Sequence, residues 1–253
     1  MAENIEYELG DAYHYNSQFE KAIVHYKKYK QRHEHHDKIL DNINRKIREC
    51  ENGIEFRKHI DKKIEIENLG RNINSEADDF SPVISLNEGV LLFTSRRKGT
   101  TGDTHYPSGK FKDDIYISVN KNGEWTEAQN LKYLNTFLED RVVSLSPNGK
   151  KLITYREDGK GDLFYSLLDK NGTWGDLVRF PQYISNIHSR ETHAAISHDW
   201  KTLIFTSDRK GGYGGLDLYI STRKHKTDAW GNPRNLGAKI NTPLDDNSPF
   251  LDI

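Results

Sequence analysis

Residues 195–241 read AISHDWKTLIFTSDRKGGYGGLDLYISTRKHKTDAWGNPRNLGAKIN. Two short runs stand out in it, Leu203-Ile204-Phe205-Thr206 and Leu216-Asp217-Leu218-Tyr219-Ile220, both rich in β-branched and aromatic residues. Gly211, Gly212, Gly214 and Gly215 lie between them and permit the positive φ that a tight turn needs. The pattern predicts two strands joined by a hairpin loop.

The stretch recurs along the chain. Its leading turn, Ser197-His198-Asp199-Trp200-Lys201, has counterparts in Ser146-Pro147-Asn148-Gly149-Lys150 and Ser85-Leu86-Asn87-Glu88-Gly89. Each leads into an apolar strand, beginning at Leu91, Leu152 and Leu203. A second mark follows as Asp114-Ile115-Tyr116, Asp162-Leu163-Phe164 and Asp217-Leu218-Tyr219, and a third as Trp125, Trp174 and Trp230. Repeats of roughly 40 to 60 residues with short strands and turn glycines predict β-propeller blades, with units at 64–127, 128–178 and 179–234. Each tryptophan is expected to pack on the apolar face of its own unit. Asn235-Leu236-Gly237 copies Asn68-Leu69-Gly70, and Asp246-Asn247-Ser248-Pro249 matches Asp79-Phe80-Ser81-Pro82. A fourth unit is therefore expected from 235, its segment 246–253 a lone strand, and the chain is expected to be part of a longer protein. The fold class is mainly β with an α N-terminus: a helical segment over 1–57, then a partial propeller over 58–253.

The 253 residues carry a formal charge of −1, which gives no electrostatic reason to expect nucleic acid or an anionic membrane as partner. Hydrophobic residues make up only 34%, but 13 Tyr, 10 Phe and 4 Trp supply large apolar surfaces, so a folded core is expected. Cys50 is alone, which excludes a disulfide framework within the chain. No apolar run reaches the length of a membrane span, and the first residues lack the pattern of a signal peptide.

Within residues 3–57 the pattern is helical. Leu9, Gly10 and Tyr13, then Phe19, Ala22, Tyr26 and Tyr29, place small and aromatic residues on facing sides of two helices broken near Asn16-Ser17. This resembles a tetratricopeptide repeat, with Glu34 where the terminal proline would stand. Leu40, Ile43, Ile47 and Cys50 predict a third helix that ends near Gly53. His33, His35 and His36 lack a completing ligand at metal-site spacing and read as a solvated helix end. Residues 62–67, with Ile64 and Ile66, are expected to begin the first β unit.

Several chemistries are weighed against the residues. Gly211 to Gly215 open a strand rather than a helix, so they are not a phosphate cradle. No serine sits in a G-x-S-x-G elbow. Asp79, Asp140, Glu191 and Asp246 recur at one point of the unit, as do Asp114, Asp162 and Asp217. Such acids are read as structural, with Arg96, Arg97, Arg156 and Arg209 as donors. An axial acidic site near Asp79, Asp140 and Glu191, binding or hydrolysing carbohydrate, is the alternative. The expectation is no enzyme, metal or cofactor. The extra loop 99–112 is a place for specific contacts, and Tyr13, Tyr26, Arg96, Arg97, Arg209 and Tyr213 are the residues expected to touch a protein partner.

The run Phe205-Thr206-Ser207-Asp208-Arg209-Lys210-Gly211-Gly212-Tyr213-Gly214-Gly215-Leu216-Asp217-Leu218-Tyr219, with Trp230-Gly231-Asn232-Pro233 after it, resembles the TolB-like WD-type propeller repeat. The order of a TPR-like pair, Asn68-Leu69-Gly70 with Ile73-Asn74-Ser75, and then these blades is similar to the PorE-like proteins of type IX secretion. That resemblance implies a periplasmic protein at the outer membrane that holds secretion machinery in the envelope through other proteins. It also implies peptidoglycan binding, through an OmpA-type domain that these residues do not contain.

Overall fold

The computed structural model describes residues 4–33, 35, 37–59 and 65–251, and divides the chain into two compact units, Met1–Glu67 and Asn68–Ile253. The first holds three helices, α1 (Ile5–Tyr15), α2 (Phe19–Arg32) and α3 (Asp37–Lys58). Their shared core is Ala22, Tyr26, Tyr29, Ile43, Ile47 and Cys50. Close helix crossings depend on glycine here: a Cβ on Gly10 would lie 2.5 Å from the Tyr26 ring. Gly53 does not end α3 as its type suggested. It lies inside the helix, where a Cβ would come within 2.6 Å of the Phe19 ring, so the absent side chain serves packing rather than capping. Glu34 and His36 lie outside the described residues, as do residues 62–64 of the segment expected to begin the β unit. Residues 65–70 form no strand, and Ile66 is exposed.

The second unit is built from antiparallel sheets. The first contains β1 (Asp79–Ile84), β2 (Val90–Ser95), β3 (Asp114–Lys121), β4 (Glu124–Trp125) and β5 (Gln129–Asn130). The second runs β6 (Asp140–Leu145), β7 (Lys151–Arg156), β8 (Asp162–Leu167) and β9 (Val178–Arg179). The third runs β10 (Ala194–Ile196), β11 (Thr202–Ser207), β12 (Asp217–Thr222) and β13 (Arg234–Asn235). The second and third sheets are simple meanders in chain order, and in the first both β4 and β5 pair with β3. The same register closes each hairpin, with Ser95 opposite Asp114, Arg156 opposite Asp162 and Ser207 opposite Asp217.

The turns before β2, β7 and β11 are one structure made three times. Ser85, Ser146 and Ser197 donate from Oγ to Asn87, Asn148 and Asp199 at 2.8, 2.8 and 2.7 Å. The same serine oxygens accept the amides of Val90, Lys151 and Thr202 at the strand entries. The fourth turn residue is left-handed each time, Glu88 at φ 53°, Gly149 at 68° and Trp200 at 62°. Only one of the three is the glycine that this conformation favours.

Sequence repeat and sheet are out of phase. Gln129–Asn130 pairs back on β3, Val178–Arg179 on β8 and Arg234–Asn235 on β12, so the boundaries at 128, 179 and 235 that mark new units in sequence fall at strands that finish the previous sheet. The cause is a side-chain tie: Asn130 and Asn235 donate to Asp114 and Asp217 at 2.7 and 2.9 Å, and Arg179 donates to Asp162. Arg234–Asn235 therefore completes the third sheet, and Asn241, beyond the turn that follows, bonds Leu218 of β12. Residues 246–251 form no strand; the Asp246 amide donates to the Leu216 carbonyl at 2.6 Å, as Asp140 does to Asp113 and Glu191 to Gly161. Residues 252–253 lie outside the described ones.

Core side chains collect between consecutive sheets. One cluster joins Leu92, Ile115, Leu131 and Leu134 to Val142, Leu152 and Trp174, and another joins Ile153, Leu163, Phe180 and Ile184 to Ala194, Leu203, Phe205, Tyr219 and Trp230. Trp174 and Trp230 thus sit where their own sheet meets the preceding one, while Trp125 is half-buried beside Ile73, Leu91, Phe93 and Tyr116. Their positions are equivalent, since the next residue, Thr126, Gly175 or Gly231, donates its amide back to the third strand.

Candidate functional site

The recurring acids are bound into the framework. Asp79 accepts from the amide and hydroxyl of Ser75, Asp140 from those of Thr136, and Asp246 from those of Thr242. Glu191 takes the Asn186 amide and the Ser189 and Ser207 hydroxyls. An arginine joins three of the four, Arg97 to Asp79 at 2.7 Å, Arg156 to Asp140 at 2.7 Å and Arg209 to Glu191 at 3.3 Å. Each of these arginines also caps a carbonyl of the preceding loop, at Ile73, Leu134 and Ile184, and lies over an aromatic ring of its own sheet. Arg97 and Arg209 arrive from two residues beyond their strands and Arg156 from the strand end, so one latch is reached by two routes. Charge-assisted bonds of this kind position backbone as well as side chain.

Burial would raise the Asp79 carboxyl, but hydrogen bonds from Ser95, Arg97 and Ser75 carry it below the ordinary range. At Glu191 burial prevails over its donors and the carboxyl titrates high. Burial likewise lifts Asp114 and Asp162, which hold the outermost strands through Asn130 and Arg179. Asp217 accepts the amides of Tyr213 and Gly214, which fixes the glycine loop.

The residues expected to meet a partner are scattered by the fold. Tyr26 is fully buried, with its hydroxyl donating to Asp11 at 2.6 Å, so it is unavailable to a partner. Tyr13 is half-buried and stacked on His25. Arg97 and Arg209 are the latches just described. Arg96 bridges Asp113 and Asp78 beside loop 99–112, whose Tyr106 donates to Glu139 at 2.5 Å. Tyr213 alone of the six is exposed, at 53%. His33 bonds the Tyr29 carbonyl through Nδ1.

Two concave regions lie among the described residues of the second unit. One, of about 560 Å³, is lined by the first strands of all three sheets, including Val83, Ile84, Val143, Leu145 and Ile196, with Leu86 of the turn after β1 and Pro249, Phe250 and Leu251. None of Asp79, Asp140 or Glu191 lines it, which leaves the axial acidic site without its acids. The other, of about 500 Å³, lies between the second and third sheets and is bordered by Lys151, Tyr165, Trp200, Arg223, Lys226 and Trp230. Sequence reading passed over this second group. In the aligned repeats Lys151 stands where the first unit has Val90 and the third Thr202, and Arg223 where the first has Asn120 and the second Leu168, so no column by itself marks the group.

No protein-family model and no curated protein matches the chain. Solved structures do. The chain is similar to TolB. It matches TolB from Acinetobacter baumannii at 20% identity over 66% of this chain and 34% of that one, with a TM-score of 0.41. A putative TolB from Agrobacterium tumefaciens matches at 15% identity over 66% and 65% of the two chains, with a TM-score of 0.38. Puromycin hydrolase matches at 16% identity over 63% and 23%, with a TM-score of 0.43. The chain spans about a third of the length of the first and a quarter of the last. The neighbours correct one expectation, that the chain is no enzyme: puromycin hydrolases and prolyl endopeptidases stand beside TolB among them, at low identity and partial coverage. Among the described residues no helix is long and apolar enough to cross a membrane.

Proposed function

We propose that the protein is a protein–protein interaction scaffold of the bacterial cell envelope, a TPR-like helical segment followed by propeller blades, acting in the periplasm within an outer-membrane complex of the type IX secretion kind. Its partners are other envelope or secretion-machinery proteins, and any hold on peptidoglycan belongs to an OmpA-type domain outside these residues. The observation that carries the reading is the apolar opening between the first strands of the sheets, where Ile84 and Leu86 remain 48% and 72% exposed. Apolar surface gathered in a concavity marks a contact site more often than solvent-facing chance does. The recurrent acids and arginines, by contrast, are spent inside the sheets.

A photo-crosslinking residue at position 86, expressed in the source cell with envelope fractionation, tests this. The expected result is a discrete crosslinked envelope protein, lost on Ile84→Asp, with the chain on the periplasmic side of the outer membrane. Cytoplasmic fractionation, or no discrete crosslink from a stably folded chain, overturns it.

A further inference from the structure

The cleft between the second and third sheets has a composition that packing does not require. Lys151 Nζ lies 4.1 Å above the Trp200 ring, and the Arg223 guanidinium 4.1 Å from the Trp230 ring. Lys226 stands at the same cleft, exposed. None of these three cations forms an ion pair with a carboxylate among the described residues; the acid on the lining, Asp228, spends Oδ2 on the His225 amide, hydrogen-bonds Arg223 through its carbonyl and acts on it with its carboxylate at longer range. Resting a cation on an aromatic face holds it in place without neutralising it. Arg223 is held further by the Trp200 carbonyl at 2.8 Å.

The charges also press on one another. Burial first, then Lys226 and Arg223, push the Lys151 ammonium below its ordinary range, and burial lowers Arg223 as well. A bound anion would relieve that cost. At the preceding junction the same places hold Val90, Ile117, Gly149, Leu168 and Trp174, four of them in a continuous apolar cluster. The fold therefore closes without these cations.

We infer that this cleft binds an acidic peptide segment, its carboxylates on Lys151, Arg223 and Lys226 and its apolar side chains against Trp200 and Tyr165. Peptide is favoured over a bare anion because the cations are spread along walls that are half apolar, with Phe180 and Pro181 among them. It is favoured over nucleic acid because the chain as a whole carries −1. The volume lies in the range of ligand clefts. The inference rests on the scaffold reading and adds the chemistry of a partner.

The test uses the whole chain and a fluorescein-labelled peptide that alternates Asp and Leu, followed by anisotropy. Expected are micromolar affinity, weakening with added salt, and a loss of tenfold or more in Lys151→Val and in Arg223→Leu, which carry the residues of the first junction and so keep a packing the fold already uses. An Asn-Leu peptide should bind at least tenfold more weakly, and Lys151→Arg should retain binding. Equal affinity for the variants and the parent overturns the proposal, as does the absence of saturable binding, or displacement by inorganic phosphate or an acidic polysaccharide at lower concentration than by unlabelled peptide. Leu86→Ser separates the two readings: peptide binding should survive it, and if the crosslink at position 86 is found while no peptide binds, this inference fails and the scaffold stands.

Discussion

Between the first and second sheets, Val90, Ile117, Leu131, Leu168 and Trp174 meet in one apolar cluster with Leu92 and Leu152; between the second and third, the matching places hold Lys151, Tyr165, Phe180, Arg223 and Trp230 around a cleft of about 500 Å³. The backbone is the same at both junctions, as are the serine-led turns and the tryptophan near the outer strand. Deeper in, the second junction is as apolar as the first, with Ile153, Leu163, Leu203 and Phe205 fully buried. What differs is the outer margin, which at one junction contributes to cohesion and at the other is left charged and open. A repeat therefore fixes where a residue stands without fixing whether it serves the fold or a ligand.

The largest effect should come from the closed junction. Trp174→Ala removes a buried indole, and the expected loss is about 3–5 kcal/mol of stability. An unchanged denaturation midpoint would mean that the junction is not held there. Arg156→Ala, which strands the fully buried Asp140 carboxylate, should cost about 3 kcal/mol, and chemical denaturation at pH 7 checks it.

Exchanging residues between the junctions sharpens the comparison. Leu168→Arg should destabilise by about 1–3 kcal/mol, because the new charge meets apolar neighbours and no partner. Lys151→Val should be neutral or stabilising at pH 7. Its sign follows from the depressed ammonium: the charged form is penalised in the folded state, the penalty is complete below the folded pKa, and it fades as pH rises from there to the ordinary lysine range. Any gain from Lys151→Val should therefore shrink in alkaline buffer; a gain that grows with pH would overturn the account of the cleft. The smallest effect belongs to Tyr213→Ala in the exposed glycine loop, where the unfolding free energy should change by no more than about 0.5 kcal/mol.

Much of this was legible in residues. Runs such as Leu203 to Thr206, and the serine-led turns ahead of them with asparagine or aspartate two residues on, announce strands because the local chemistry is complete within a few residues. The phase of the units was not legible, since pairing of Arg234–Asn235 with β12 is decided by Asn235 reaching Asp217 across 18 positions. Gly53 misled for a similar reason: its role depends on Phe19, a helix away. The acids were readable as framework because they recur with their serines and threonines. The cleft was not, because Lys151, Trp200 and Arg223 approach one another only when two sheets are stacked, and their counterparts in the other units, Val90 and Thr202, Glu88 and Gly149, Asn120 and Leu168, share no chemistry that would mark them.

Trp200 holds a left-handed backbone at the mouth of that cleft with an ammonium over its ring, and Trp230 lies across from it under a guanidinium. Two of the chain's four indoles thus border a single concavity, each beside a positive charge. The emission of an indole responds to charge placed near its ring, so whatever draws Lys151 or Arg223 outward alters the ultraviolet fluorescence of the unlabelled protein. The molecule reports the occupancy of this cleft in its own light.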